Sequence, residues 1–481
     1  MFSCSTFAPG FSRAFFYGVC RFAERGWLRA GERIPSIREL ATNHGVSTAT
    51  AVQACHQLEK EGLILARQRM GFFVCTSSPS LIFNTPSAHE PAFISNPALR
   101  EMRFINASAD VLPLHYARPA ASLLPDAAIA AALSRCLRRQ RDSALDYSPP
   151  QGHGPLRRQI AQRYVNLGAQ VAAEEIIVTS GAMEAISLAL RVTTSPGDLV
   201  LVEAPAYQGI LQTIAALNLR VIEFPHDPAG GLHMERLEAM LAAEPVRVAL
   251  VVPNFSNPSG RTLDDATKQK LLSACERHGT IIVEDDVYGE LAWDDSRPSP
   301  LRRWDSGNNV ITCSSFSKFL APGLRVGWIT GGRWTEALSR AKYFSTIGNP
   351  ALPQLAISHY LERHDLERGL RKLRRGLAQT AFRMRDAISR HWPRETLASQ
   401  PRGGLSLWIQ LPAGGDARHL FNAALDNGIG IAPGPLFSSN GGYGDHLRLT
   451  CGLPWDERLA QGMMCLGKLV HENVIEHGPR T

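Results

Sequence analysis

The chain has 481 residues, 44% hydrophobic and 20% charged, a composition typical of a globular protein with a large core and room for about two to four domains. Its nine cysteines are scattered without a CxxC pair or a metal-ligand spacing, which excludes a disulfide framework and predicts no metal site. The sequence contains no run of about 18 apolar residues, so no membrane span is predicted. The first ten residues lack the pattern of a signal peptide, and we therefore expect a cytoplasmic protein without membrane contact.

The net charge of +7 is concentrated at the start of the chain. The first 78 residues contain nine Lys or Arg and five Asp or Glu, a balance of +4, which leaves +3 for the remaining 403. A basic excess in one short segment indicates an anionic partner for that segment.

Three helices and two short strands are predicted first in chain order. After a helix over 15–24, Ser36 and Glu39 predict a capping box for a helix over Ile37–His44, and Ser47 caps a third helix over 48–61. Two short helices joined by a tight turn at Gly45 are typical of the helix-turn-helix, whose second helix enters the major groove of DNA. Strands over 63–65 and 72–74 flank a basic "wing" that contains Arg67 and Arg69.

This stretch resembles the winged-helix domain of the GntR family of bacterial transcription factors. The matching strings begin at Arg33 (RIPSIRELA), Gly45 (GVS), Leu58 (LEKEGL) and Gly71 (GFFV). The resemblance implies that Arg33 and Arg38 hold DNA phosphates. It also implies that the start of the recognition helix and the wing face DNA through Ser47, Thr48, Thr50, Arg67 and Arg69. The recognition helix carries no arginine at its start, where many members of the family do.

A Ser-, Pro- and Asn-rich stretch separates this segment from the rest of the chain. We therefore expect a DNA-binding domain over 11–76, a linker over 77–107 and a larger domain over 108–478. The larger domain alternates apolar strand-like runs with helical segments such as 182–191 and 263–278, which predicts an α/β fold with a mostly parallel sheet and helices on both faces. The strand-like runs are 175–179, 199–202, 219–224, 247–252, 280–284, 310–312 and 325–329.

Polar residues follow several of these strands at the edge where ligands of such sheets bind. Gly181 and Ala182 lie at a helix start suited to phosphate. Asp285 and Tyr288 follow a very apolar strand, where a carboxylate needs a cationic partner such as a protonated pyridine nitrogen. The run from Ser315 to Lys318 adds a lysine amine that can condense with an aldehyde, the usual attachment of pyridoxal phosphate.

From about 112 to near 470 the chain resembles the fold-type I pyridoxal-phosphate enzymes of the aspartate aminotransferase superfamily. The order of the motifs carries this resemblance: a glycine turn, Asn-Pro-Ser-Gly, Asp-x-x-Tyr, Ser-x-Ser-Lys and an arginine. It implies that Lys318 forms the internal aldimine and that Asp285 pairs with the pyridine nitrogen. The other implied cofactor contacts are Asn257 and Tyr288 on the phenolic oxygen, Tyr207 on the ring, and Ser315, Ser317, Arg325, Gly181 and Ala182 on the phosphate.

Two further roles are implied by this resemblance. Tyr147 would reach the phosphate of a neighbouring subunit, which implies a homodimer, and Arg448 would bind a substrate or effector carboxylate. One string departs from the pattern: where relatives often have a glycine near that carboxylate, this chain has Tyr116-Ala117-Arg118-Pro119, so ligand access could differ.

The two halves together resemble the MocR subfamily of bacterial regulators. The resemblance implies a DNA-binding, pyridoxal-phosphate-dependent transcriptional regulator that senses an amine, an amino acid or the cofactor through Lys318. An active aminotransferase of amino acids with a vestigial DNA-binding domain remains an alternative, because every catalytic residue type is present. A scaffold that has lost the cofactor is disfavoured by the intact Lys318 and Asp285.

Overall fold

The computed structural model describes residues 33–60, 64–67, 71–74, 91–96, 111–224, 232–294 and 296–477. The predicted helix over 15–24, the wing residue Arg69 and most of the predicted linker lie outside these residues. For Arg67 only its place in a strand is described.

The N-terminal segment forms the helix-turn-helix and the two-stranded wing that its sequence predicts. Its elements are α1 (Ile37–His44), α2 (Thr48–Lys60), β1 (Ile64–Arg67) and β2 (Gly71–Val74). The capping box is confirmed, since Glu39 N donates to Ser36 Oγ at 3.3 Å and Ser36 N donates to Glu39 Oε2 at 2.7 Å. Gly45 ends α1 at a φ of +63°, a left-handed conformation that glycine adopts without a Cβ penalty.

The two wing strands are longer than predicted. They pair antiparallel with Ile64 opposite Val74 and Arg67 opposite Gly71, so they extend closer to the turn than 63–65 and 72–74. The unit has its own small core, built by Ile34, Leu40, Ala41, Ala51, Ala54, Cys55, Leu58 and Ile64.

The remaining described chain alternates strands and helices. The helices are α3 (Asp126–Arg139), α4 (Arg141–Leu145), α5 (Gly154–Asn166), α6 (Ala182–Thr193), α7 (Gln208–Ala216), α8 (Met234–Ala243), α9 (Asp265–Arg277), α10 (Thr335–Thr346), α11 (Ala351–Arg363), α12 (Leu366–His391), α13 (Ala417–Asp426) and α14 (Glu457–His477). The strands are β3 (Ala92–Phe93), β4 (Leu112–Pro113), β5 (Ile176–Thr179), β6 (Leu199–Glu203), β7 (Arg220–Phe224), β8 (Val246–Val251), β9 (Ile281–Asp285), β10 (Val310–Ser315), β11 (Gly327–Thr330), β12 (Leu397–Ala398), β13 (Ser406–Gln410), β14 (Ile429–Gly430), β15 (Ala432–Pro433) and β16 (His446–Thr450).

Eight of these strands form one sheet in the order β3-β7-β6-β8-β9-β10-β11-β5. The five strands from β7 to β10 are parallel, whereas β11 is antiparallel to both its neighbours and β3 is antiparallel to β7. Strands β5, β6, β9 and β10 are buried throughout, as expected where helices cover both faces of a sheet. The predicted α/β fold is confirmed.

One predicted strand is shorter than expected. The run 325–329 was expected to be extended from its start, but β11 begins at Gly327 because Arg325 has a φ of +52°. This turn directs the guanidinium of Arg325 back to the N-terminus of α6, where it bonds to Ser180 O.

A smaller sheet, β12-β13-β16-β15, is antiparallel throughout. The long helix α12 connects its core to that of the large sheet, because Leu370 and Leu377 pack in the large core while Met384 and Ile388 pack in the small one. Among the residues described, no helix is long and apolar enough to cross a membrane.

Candidate cofactor site

Lys318 lies in the short turn that follows the buried strand β10. The turn is fixed by Ser315, whose Oγ accepts from Ser317 N at 3.1 Å and donates to Val326 O at 3.0 Å. Lys318 is half-buried, and its Nζ donates to Ala117 O at 2.8 Å. Burial lowers the pKa of Lys318 to about 8, although the nearby Asp285 opposes this shift. A substantial fraction of this amine is therefore neutral and nucleophilic near neutral pH.

The lowered pKa predicts how the cofactor-free protein takes up added aldehyde. The rate should rise about tenfold per pH unit below about pH 7 and level off above about pH 9, because only the unprotonated amine reacts. Stopped-flow absorbance with added pyridoxal phosphate measures this rate. A rate still climbing beyond about pH 10 would mean that Lys318 has an ordinary lysine pKa.

Asp285 is the last residue of β9 and its carboxylate is buried. Burial, together with the neighbouring Asp286, raises the pKa of Asp285 to about 7, while Lys318 lowers it. No hydrogen-bond partner for its Oδ1 exists among the described residues. A buried carboxylate oxygen left unpartnered is costly, so this site fits a ligand that brings a positively charged N–H, as a protonated pyridine ring does.

Asn257, Tyr288 and Arg448 form a connected group beside this carboxylate. Asn257 Nδ2 donates to Tyr288 Oη at 3.4 Å, and Arg448 Nη1 donates to Asn257 Oδ1 at 3.3 Å. Lys318 Nζ lies 5.6 Å from the centroid of the Tyr288 ring. Arg448, on β16, also donates through Nη2 to His115 O. The site therefore lies where the small sheet meets the carboxyl ends of β9 and β10.

A cationic cradle forms at the N-terminus of α6. Arg325 donates to Ser180 O at 2.9 Å and to Ser317 Oγ at 3.0 Å. Gly181, at a φ of +94°, is the N-cap of α6, and the adjoining Ala182 is the first residue of the helix. The first-turn N–H groups of any helix lack intrahelical partners and attract anions. The arginine, the glycine turn and the hydroxyl of Ser317 together fit a phosphate group.

The cradle depends on the missing side chain of Gly181. A Cβ at this position would lie 2.5 Å from Arg325 Nη2, so we expect Gly181→Ala to displace the guanidinium and to weaken pyridoxal-phosphate binding about tenfold or more. The matched control is Gly197→Ala, where φ is +89° and nothing lies within 4 Å of an added Cβ. Equilibrium dialysis measures the affinity, and equal values for both variants would contradict the assignment.

Tyr207 and Tyr147 have different surroundings. Tyr207 caps α7, and burial raises its pKa with a further contribution from Asp285, whereas Arg448 and Arg325 lower it. Tyr207 therefore lies within electrostatic reach of the other predicted residues. Tyr147 is 81% exposed on the surface of the single chain, and its predicted contact with a second subunit stays a prediction.

Several site residues are not evident in the sequence. Lys342, fully buried in α10, donates to Glu184 Oε1 at 2.8 Å and so neutralises a carboxylate in the first turn of α6. Asn349 Nδ2 supports the same turn by donating to Ser180 Oγ at 3.1 Å. The sequence contains one indication that Lys342 is buried: it follows the buried Leu338 by four residues, a spacing that places both side chains on one face of a helix.

A buried polar network lies behind Asp285. Asp286 accepts from Arg297 Nη2 at 2.5 Å and from Asn254 Nδ2 at 2.8 Å. Lys268 Nζ donates to Asn254 Oδ1 at 2.8 Å, and Arg297 Nε donates to Glu290 Oε1 at 3.0 Å. These bonds fix the chain immediately after Asp285 and so hold its carboxylate in place.

The predicted DNA-contacting residues cluster at the start of α2 and beside β2. Ser47 Oγ accepts from Thr50 N at 3.1 Å, which confirms it as the cap of α2, and Thr48 is exposed. Arg33 is exposed and lies against Gly71, whose added Cβ would be 3.3 Å from Arg33 Nε. Arg38 is exposed on α1. No described acidic side chain forms an ion pair with Arg33 or Arg38, which leaves both guanidinium groups available to phosphate.

The two units match two family models. Residues 24–74 match "Bacterial regulatory proteins, gntR family", and residues 115–459 match "Aminotransferase class I and II". The "Uncharacterized HTH-type transcriptional regulator YjiR" of Escherichia coli is 36% identical over 93% of this chain and 96% of its own length. The "2-aminoadipate transaminase" of Thermus thermophilus is 34% identical over 77% of this chain and 92% of its own length.

The solved structures agree. The crystal structure of LysN, an alpha-aminoadipate aminotransferase from Thermus thermophilus in complex with N-(5'-phosphopyridoxyl)-L-leucine, matches with a TM-score of 0.72 and 32% identity, covering 76% of this chain and 94% of that one. The cofactor of the larger domain is pyridoxal phosphate. The Arg325 cradle fits it, as does Asp285 Oδ1, which has no hydrogen-bond partner among the described residues. The chain belongs to the MocR-type family of regulators, in which a GntR-type winged helix-turn-helix is fused to an aminotransferase class I and II domain.

Proposed function

We propose that this chain is a transcriptional regulator that binds DNA as a homodimer and senses an amine, an amino acid or pyridoxal phosphate at Lys318. The observation that carries the proposal is that one chain combines a well-formed helix-turn-helix with an intact lysine and carboxylate pair in the larger domain. Such a regulator acts where the chromosome lies, so we place it in the cytoplasm. We retain 11–76, 77–107 and 108–478 as the DNA-binding domain, linker and cofactor domain.

Each site residue has a distinct part in sensing. Bound pyridoxal phosphate supplies an aldehyde carbon that exchanges one amine for another. Lys318 Nζ is the resident amine, and Asp285 would hold the proton on the ring nitrogen. Asn257 and Tyr288 would orient the ring oxygen, and Tyr207 would pack on the face of the ring. The phosphate would be held by Arg325, Ser315, Ser317, Gly181 and Ala182.

The hydrogen bonds of Arg448 suggest how a ligand changes the protein. This arginine belongs to the small sheet, and its Nη2 donates to His115 O. An incoming carboxylate offers a charged acceptor, which binds an arginine more strongly than a carbonyl oxygen does. If Arg448 exchanged the carbonyl of His115 for the carboxylate, the chain around His115 would be released and the small sheet would favour a second arrangement. The ligand would then bind one arrangement more tightly than the other, which a two-state response requires.

Exposed apolar residues support the homodimer. Tyr147 and Phe344 are 81% and 79% exposed, and Tyr343 and Ile347 are each about half exposed. Tyr343 and Phe344 lie in the last turn of α10 and Ile347 follows it. The segment after Tyr147 is tied to this region, since Ser148 Oγ donates to Asn349 O at 2.6 Å. Exposed apolar side chains in neighbouring segments favour a protein partner, and a second copy would bring Tyr147 to a neighbouring site.

A working aminotransferase with a vestigial DNA-binding domain is the second candidate. It is favoured by the similarity to the 2-aminoadipate transaminase over 77% of the chain and by the absence of arginine from the start of α2. The same residues would then serve transamination, with Lys318 moving the proton and Arg448 binding the substrate carboxylate.

Footprinting of the DNA upstream of the gene, with and without pyridoxal phosphate, separates the two candidates. The regulator should protect a defined segment, and protection should weaken as salt is raised, because phosphate contacts release counterions. Amino-acid turnover at about 1–1000 per second without any such protection would reject the regulator and support the enzyme.

A further inference from the structure

The segment 115–119 forms one wall of the site. Ala117 O accepts from Lys318 Nζ at 2.8 Å, and the carbonyl of His115 accepts from Arg448. Both ends of the segment are fixed to the small sheet and the loop after it, since Thr450 N donates to Leu114 O at 2.9 Å and Ala120 N donates to Gly452 O at 2.7 Å. The backbone that carries residue 118 is therefore held directly beside the resident amine.

Arg118 is an available cation on this wall. Its side chain is exposed, and its Cζ lies 5.1 Å from the centroid of the Tyr116 ring. Among the residues that the structure describes, no carboxylate forms an ion pair with it. The charge of Arg118 acts on the site. The pKa of Lys318 is lowered by burial first, and then by the positive charges of Arg448, Arg325 and Arg118.

Most charged groups of the site have an oppositely charged partner on the cofactor or on a bound amino acid, but Arg118 does not. In the function proposed above, Arg325 faces the cofactor phosphate, Asp285 faces the ring nitrogen and Arg448 faces the carboxylate of an amino acid. Among the described arginines whose charge lowers the pKa of Lys318, these pairings leave Arg118 without an anion from either the cofactor or a simple amino acid. A ligand with a second acidic group would supply it, whereas a basic side chain would be repelled.

We propose that Arg118 binds the side-chain acid of the effector, which is therefore an α-amino acid with a second acidic group. The inference rests on the proposed sensing function and names the ligand class of the same site. It also gives a role to Arg118 in the string that departs from the glycine expected near the carboxylate, because the guanidinium contributes a second anion site beside that of Arg448. The Tyr116 ring supports the guanidinium from one side, a contact that arginine favours.

Matched pairs of amino acids test the proposal on the cofactor-loaded full-length protein. Isothermal titration compares L-glutamate with L-glutamine and L-aspartate with L-asparagine, which differ only in the charge of the side-chain end. In at least one pair the acid should bind about tenfold or more tightly than the amide, the usual range for a charge-assisted hydrogen bond. Arg118→Gln should remove that preference and leave the affinity for the amide within about twofold, and Arg118→Lys should restore part of it.

The control variant is Arg138→Gln, which removes an exposed arginine of α3 and should leave the preference intact. Equal binding of acid and amide in both pairs, a preference that persists in Arg118→Gln, or no binding of any of the four would overturn the inference. DNA binding separates this failure from failure of the proposed function. If a neutral or basic amine still alters protection of the upstream DNA, sensing stands and only the acidic class falls.

Discussion

Lys318→Ala is expected to abolish the visible absorption band of the cofactor-loaded protein while the fold persists. The variant removes the amine that we propose carries the cofactor. Among the described residues, Lys318 Nζ makes one hydrogen bond, to Ala117 O, so the fold loses little. Pyridoxal phosphate should then dissociate readily, because only noncovalent contacts remain to hold it. Absorbance after gel filtration measures the loss, and far-ultraviolet circular dichroism checks the fold.

The matched control is Lys270→Ala, which removes an exposed lysine on α9. This variant should keep the full band and the full cofactor content. If Lys318→Ala kept the band through gel filtration, another amine would carry the cofactor, and the assignment of this site would be wrong.

Arg297→Leu is expected to lower the free energy of unfolding by about 3–5 kcal/mol, the range for breaking one side of a buried ion pair. Arg297 contacts two carboxylates, Asp286 at 2.5 Å and Glu290 at 3.0 Å, whose side chains are 1% and 9% exposed. Burial alone would raise the pKa of Glu290, but Arg163 and Arg297 lower it to about 2. Urea unfolding followed by tryptophan fluorescence measures the change.

The contribution of Glu290 to the free energy of unfolding depends on pH. Because the native pKa of Glu290 is below its ordinary value of 4.5, its contribution to stability is present above that value and is lost as the pH falls toward about 2. Arg297→Leu removes part of that contribution, so the difference in stability between the variant and the natural chain should shrink as the pH falls from about 4.5 toward about 2.

Arg340→Leu is the control, since this arginine pairs with Glu336 while the two side chains are 68% and 88% exposed. Exposed pairs contribute little, so stability should hardly change. A similar loss in both variants would contradict the assignment of the loss to the burial of the Arg297 ion pairs.

The parts of the site that follow strands were predictable from the sequence. Asp285 ends β9, and Lys318 lies three residues after the end of β10. Parallel strands end at one edge of a sheet, so the convergence of these residues follows from the alternation of strands and helices. The capping box at Ser36 was predictable for a different reason, because it depends on residues only three apart.

Contacts between distant segments were not predictable from local patterns. Arg448 and the carbonyl of His115 are 333 positions apart, and Lys342 and Glu184 are 158 apart. These contacts depend on how the small sheet and α10 pack on the large sheet, and no local periodicity encodes that packing. The predicted contact of Tyr147 involves a second chain, so one copy of the fold does not test it.

The response of DNA binding to an amine, compared between the natural chain and Lys318→Ala, is the most direct test of the account. Fluorescence anisotropy on a labelled upstream fragment would be measured with the cofactor and increasing L-glutamate. The account predicts that glutamate changes the affinity of the natural chain for DNA and leaves that of Lys318→Ala unchanged, although the variant still binds the fragment. An equal response in both proteins would contradict the account, because the site around Lys318 would then play no part in sensing.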